Sequence, residues 1–194
     1  MGNLTNRTVL AGIVLYGAGY GIFITIIPAF LISVKNSNQT TVGIFFALFY
    51  IAISLSQLIA GPFSDQKGRK PAMICGLTLA AIGIASFSAF KLPWLIGLLT
   101  LAACGLGAFC VSAMAFLNEC VPSSLKGTIS GAFYFFWGAG YFFGPLLFGK
   151  IGQSEYWQMG FILFAGLFMI ELIACFIVLK SPSKTLNIKY QKGW

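Results

Sequence analysis

The chain contains no histidine, and only four of its 194 residues are acidic: Asp65, Glu119, Glu155 and Glu171. Charged side chains of both signs make up 8% of it, too few to cover the surface of a soluble domain. Its cysteines (Cys75, Cys104, Cys110, Cys120 and Cys175) form no Cys-x-x-Cys pair. With histidine absent as well, no ligand set for zinc or haem is present, and neither a metal nor a cofactor is expected. The cysteines read as buried free thiols that fill space. No nucleophile–base pair or phosphate-binding loop is present, so an enzyme is not expected and no catalytic residue is assigned.

What the chain does have is apolar. Hydrophobic residues make up 58%, with 20 phenylalanines and 23 glycines, the composition of an integral membrane protein. In such a protein aromatic groups face lipid and small residues let helices approach closely. The net charge of +8 is spread over connections and the C-terminal tail without a basic face, which argues for membrane topology and against a nucleic-acid partner. A bilayer core of about 30 Å needs about 20 apolar residues in a helix. On that ruler six spans lie near Val9–Val34, Thr41–Gly61, Pro71–Phe90, Pro93–Leu117, Thr128–Lys150 and Trp157–Leu179. They form a bundle over 1–180, followed by a short basic tail over 181–194. The first run is too long for a cleaved signal segment. A cytoplasmic N-terminus places Arg7, Lys67, Arg69, Lys70, Lys126 and the tail lysines inside and leaves only Lys35, Lys91 and Lys150 outside. The bias of bases predicts both termini in the cytoplasm.

Between the second and third spans stands Gly61-Pro62-Phe63-Ser64-Asp65-Gln66-Lys67-Gly68-Arg69-Lys70-Pro71, read as a short polar turn. This pattern of glycine, aspartate, glycine and two bases resembles the loop joining helices two and three in the major facilitator superfamily of transporters. Asn118-Glu119-Cys120-Val121-Pro122-Ser123-Ser124-Leu125-Lys126-Gly127 resembles that family's connection between helices four and five. Gly140-Tyr141-Phe142-Phe143-Gly144-Pro145-Leu146-Leu147-Phe148-Gly149 is similar to its antiporter motif, with Phe148 in place of a glycine. The resemblance implies an all-α membrane protein whose six transmembrane helices form a 3+3 inverted repeat, half of a twelve-helix fold. An internal echo agrees. Gly19-Tyr20-Gly21 followed by Ala29-Phe30-Leu31 recurs as Gly105-Leu106-Gly107 followed by Ala115-Phe116-Leu117, and Gly61-Pro62 with Lys67 recurs as Gly144-Pro145 with Lys150.

The chemistry of these positions follows from residue type. Gly61 lets helix two lie close to a neighbour. A bidentate guanidinium at Arg69 suits two carboxylates, Asp65 and Glu119. With Gly68 and Lys70 these residues read either as a gating latch or as a static surface ion cluster. In helix five, Gly138, Gly140 and Gly144 give a thin side and Pro145 permits a hinge. Tyr134, Trp137 and Tyr141 share a face of that helix, and Tyr16 with Tyr20 forms a stripe on helix one beside Gly17 and Gly21. These aromatics either line a cavity for an apolar or cationic ligand or serve as packing. Glu171 sits inside the sixth span, where an acid is a candidate protonation site. Its alternatives are pairing with another subunit or snorkelling.

The leading reading is a transporter of small amphipathic solutes working by alternating access, with the lipid bilayer as its environment and a second copy as its partner. In that homodimer Asp65 approaches Thr128-Ile129-Ser130-Gly131 of the other copy, and helices two and five form the interface through Gly61, Gly140 and Gly144. Two alternatives stand beside it. The chain is the N-terminal part of a twelve-helix transporter, paired with a second six-helix half, or a non-transporting subunit of a larger membrane complex.

Overall fold

The computed structural model describes residues 3–86, 89–152 and 157–179, all of whose regular structure is helical. Six long helices follow one another: α1 (Asn3–Ser33), α2 (Gln39–Lys67), α3 (Arg69–Ser86), α4 (Leu92–Glu119), α5 (Lys126–Gly152) and α6 (Trp157–Val178). A short 3₁₀ turn, Ser123–Leu125, precedes α5. The expected tail over 181–194 lies outside the described residues. Among the described residues α1, α2, α4 and α6 are long and apolar enough to cross a membrane. By that measure α3 and α5 fall short. α3 opens on Arg69 and Lys70, and α5 is diluted by glycine and by tyrosine and tryptophan.

Several hydroxyl groups within the apolar helices bond back to their own helix, which suits a medium without water. Thr25 Oγ1 donates to the Gly21 carbonyl at 2.7 Å and Thr100 Oγ1 to Ile96 at 2.8 Å. Asn38 caps α2, its Oδ1 accepting from the Thr41 backbone N–H at 2.9 Å. α1 ends where Asn36 takes a positive φ of 50°, a conformation asparagine tolerates better than most residues.

The connection between α2 and α3 departs from the polar turn expected over 61–71. Helix α2 runs on through Pro62 to Lys67, and α3 begins at Arg69, so the reversal is made by Gly68 alone. Its φ of 98° and ψ of 156° fall where a side chain does not fit, and its N–H still caps Ser64 O at 3.0 Å.

The most extensive helix pairings are α1 on α5, α3 on α4, α2 on α4 and α3 on α6. The α1–α5 crossing is built from glycines on both sides. A Cβ at Gly140 would run into the Val14 carbonyl, and one at Gly17 into the Trp137 carbonyl. At Gly144 it would stand 2.6 Å from Ala18 Cα, and at Gly21 2.9 Å from the Pro145 ring. Two small-xxx-small stripes thus bring the backbones together, so the gain is dispersion contact, which is what holds helices together in lipid. This corrects the expected placement of Gly140 and Gly144 at an interface between copies, because their bare side is already filled by α1. Gly138, expected on the same thin side, faces open space, as does Gly61: a Cβ at either would meet nothing within 4 Å among the described residues. The remaining core mixes aliphatic side chains with phenylalanines, among them Phe23, stacked on Phe49 at 5.0 Å between centroids and on Phe45 at 6.2 Å.

Candidate functional site

Two sites take shape inside this frame, an ion cluster at one end of the bundle and an open cavity between helices. The single-residue reversal at Gly68 places the last turn of α2 beside the first residue of α3, and the end of α4 arrives at the same level. There Arg69 Nε and Nη2 converge on Oε1 of Glu119 at 2.9 and 2.6 Å. Its Nη1 donates to Ser64 Oγ at 2.6 Å and pairs with Asp65 Oδ1. Burial works against the guanidinium charge, yet hydrogen bonds to Glu119 and Asp65 outweigh it and raise the Arg69 pKa above its ordinary value. The arginine is 15% exposed while both acids are more than half exposed, so water screens each pair. Beside it Lys70 Nζ donates to the Phe176 carbonyl at 2.7 Å and stands over the Phe176 ring, tying α3 to the last turn of α6. Ser64 is a member of the cluster that residue type alone did not single out. Its position one turn before Gly68 on the α2 face is the signal.

A cavity of about 520 Å³ lies between α1, α2, α4 and α5. Tyr16 and Tyr20 of α1 and Tyr134 and Trp137 of α5 form part of its wall. Tyr141 is not part of the lining but backs it, packed on Trp137 at 5.6 Å and on Tyr20 at 6.2 Å. The side-chain amides in the lining come from helices for which no cavity residue was expected: Gln57 on α2 and Asn118 on α4. The signal was available, since Cys110, Val111, Met114, Ala115 and Asn118 recur at helical spacing and all line the cavity. No charged side chain is among the lining residues. Trp137 Nε1 is buried and has no hydrogen-bond partner among the described residues.

Glu171 lies elsewhere. It is buried in α6 and turned toward α1 at Gly12. The alternatives of a subunit contact or of snorkelling are thereby corrected, because the side chain points into the bundle. Gly140, Gly144 and Pro145 lie within a continuous α5, against α1.

The chain resembles known proteins in the same terms. It is 25% identical over 153 residues to the class E tetracycline resistance protein of Escherichia coli, covering 76% of this chain and 38% of that one. It is 28% identical over 176 residues to the class H tetracycline resistance protein of Pasteurella multocida, covering 88% and 43%. The chain therefore spans less than half the length of the curated relatives it matches. The family model of the Major Facilitator Superfamily matches residues 9–194, nearly the whole chain, and the protein belongs to that family of membrane transporters.

Proposed function

We propose that this chain is a six-span carrier unit that binds small amphipathic solutes in the aromatic cavity and moves them by alternating access. The observation that carries the reading is the cavity itself, with aromatic faces, two side-chain amides and an unpartnered indole N–H but no fixed charge. Such a lining suits a planar, partly polar molecule, held by stacking and a few hydrogen bonds. The relatives are named for tetracycline resistance, so tetracycline is the first compound to test.

The 3+3 repeat is supported by how the echoed glycines pack. Gly21 meets α5 and its counterpart Gly107 meets α2, while Gly19 meets Phe168 of α6 and its counterpart Gly105 meets Gly76 and Ala80 of α3. Exchanging the two halves maps the α1–α5 contact onto α4–α2 and the α1–α6 contact onto α4–α3; Gly19 also meets Leu106 of α4. Asp65, Arg69 and Glu119 then serve as the cytoplasmic latch, weak enough to reopen. Access from two sides needs a second bundle, supplied by another copy of this chain or by a further six-helix half. The second source is favoured by the relatives' length, and the first by the commonness of twofold dimers. Particle composition after mild detergent extraction separates them.

The binding test is saturable quenching of tryptophan fluorescence by tetracycline and a set of planar amphipathic dyes. Trp137→Phe is expected to remove most of the quenching and weaken binding several-fold, whereas Phe143→Leu, on an exposed face, leaves both unchanged. Binding indifferent to Trp137, or no saturable binding by any compound in the set, removes the cavity reading.

A further inference from the structure

Glu171 is 5% exposed, deep within α6. Its carboxyl rests on the bare backbone of α1, since a Cβ at Gly12 would stand 2.8 Å from Oε1 and 2.7 Å from Cζ of Phe109. The acid thus occupies the room a side chain at position 12 would need, and the Phe109 ring of α4 closes the space. One turn along α6, the Cys175 thiol donates to Oε1 at 3.3 Å.

Among the described residues no cation pairs with this acid, and both ion pairs belong to Arg69. Of the charged or titratable groups on the helices around Glu171, Lys70 of α3 has its ammonium bonded to the Phe176 carbonyl and Cys75 of the same helix is exposed. On α1, Arg7 is exposed and Tyr16 lines the cavity. On α4, Cys110 lines the cavity and Glu119 is held by Arg69. On α5, Tyr134 lines the cavity and Tyr141 packs on Trp137. An ionised carboxylate in such a seat has only a thiol to offset the loss of water, which is expensive. A protonated acid fits the same space and can both donate and accept.

We propose that Gly12, Glu171 and Cys175 form a proton-binding seam between α1 and α6. The carboxyl carries a proton while α1 lies against it, and loss of that proton admits water and parts the two helices. The consequence reaches the cavity from two sides. Tyr16, one turn beyond Gly12 on α1, lines it, and so does Cys110, the neighbour of Phe109. A second ligand, the proton, thereby acts at a site distinct from the one proposed for the solute, and it stands whichever solute the chain carries.

The test uses the full chain in lipid nanodiscs. Infrared spectra taken across a pH series are expected to show the C=O band of a protonated carboxylic acid that fades as pH rises and is missing from Glu171→Gln. In a variant keeping Cys175 as its one cysteine, the alkylation rate divided by that of the same variant carrying Glu171→Gln should climb several-fold over the same interval. The ratio removes the pH dependence of the reagent, and because an ionised carboxylate beside the thiol opposes thiolate formation, a climb reports water access and not easier ionisation of Cys175. Gly12→Ala pushes the carboxyl out of its seat, so the transition should move to lower pH. A spectrum unchanged by Glu171→Gln, an acid band that never titrates, a flat alkylation ratio, or a transition indifferent to Gly12→Ala overturns the proposal.

Discussion

Arg69 and Glu119, fifty positions apart in sequence, meet through one carboxylate oxygen that accepts from both Nε and Nη2. The opposite edge of the same guanidinium serves Ser64 and Asp65. A single side chain therefore joins the end of α2, the start of α3 and the end of α4, all within reach because the reversal at Gly68 takes one residue.

A guanidinium presents five donors on three nitrogens in a fixed plane, and here all three nitrogens are engaged, whereas an ammonium offers its donors from a single nitrogen. Arg69→Lys is therefore expected to destabilise the bundle more than Glu119→Gln or Asp65→Asn does. The exposed acids contribute about 0–1 kcal/mol each, and their loss should shrink further at high salt. Thermal unfolding in detergent at two ionic strengths reads this. Arg69→Lys unfolding with the wild type at both would show that the cluster holds nothing together.

The α1–α5 crossing makes the opposite kind of prediction, independent of salt. Gly140→Val drives a branched side chain into the Val14 carbonyl and should cost about 1–3 kcal/mol or more from overpacking. Gly138→Ala, two positions away with nothing within 4 Å, should be neutral or gain up to about 1 kcal/mol of helix propensity. Equal effects at the two positions in a thermal-shift assay would mean that the helices do not meet along this stripe.

That pair of glycines also shows where sequence reasoning stopped. Spacing identified a thin side on helix five, because period and residue size are local properties. Which neighbour fills it depends on how six helices close on one another, so Gly140 and Gly144 were assigned to a second copy and prove to face α1. The Arg69 bridge was legible for a different reason: in a chain with four acids, few carboxylates stand near any base. Gln57 and Asn118 escaped notice because an amide in an apolar run carries no charge to mark it. Only the position of its helix face relative to α1 and α5 turns it toward the cavity.

The proposed orientation, with both termini in the cytoplasm, rests on the bases alone, and both probe positions are open. Asn38 and Lys67 are exposed at opposite ends of α2. A cysteine at Asn38 is expected to react with a membrane-impermeant maleimide added to intact cells, and one at Lys67 only after permeabilisation. The reverse pattern would invert the bundle and move the Arg69 cluster to the outside.

The end of the bundle opposite Arg69 is closed by a different chemistry. Lys35 follows α1, and its Nζ lies 5.7 Å from the Phe30 ring centroid and 5.9 Å from that of Trp157, the first residue of α6. It also donates to the Phe90 carbonyl at 3.4 Å, just before α4. The two rings themselves are 4.5 Å apart, so the ammonium and the aromatic pair form one clamp over α1, α6 and the approach to α4. Lys35→Met keeps an unbranched stem while deleting the charge, and should lose about 0.5–1 kcal/mol of cation–π attraction. Trp157→Phe weakens the same attraction by offering a poorer ring face. Because both substitutions act on one contact, the double variant should be less destabilised than the sum of the singles. A thermodynamic cycle from thermal unfolding measures that difference, and strict additivity would show that Lys35 and Trp157 are neighbours without being coupled.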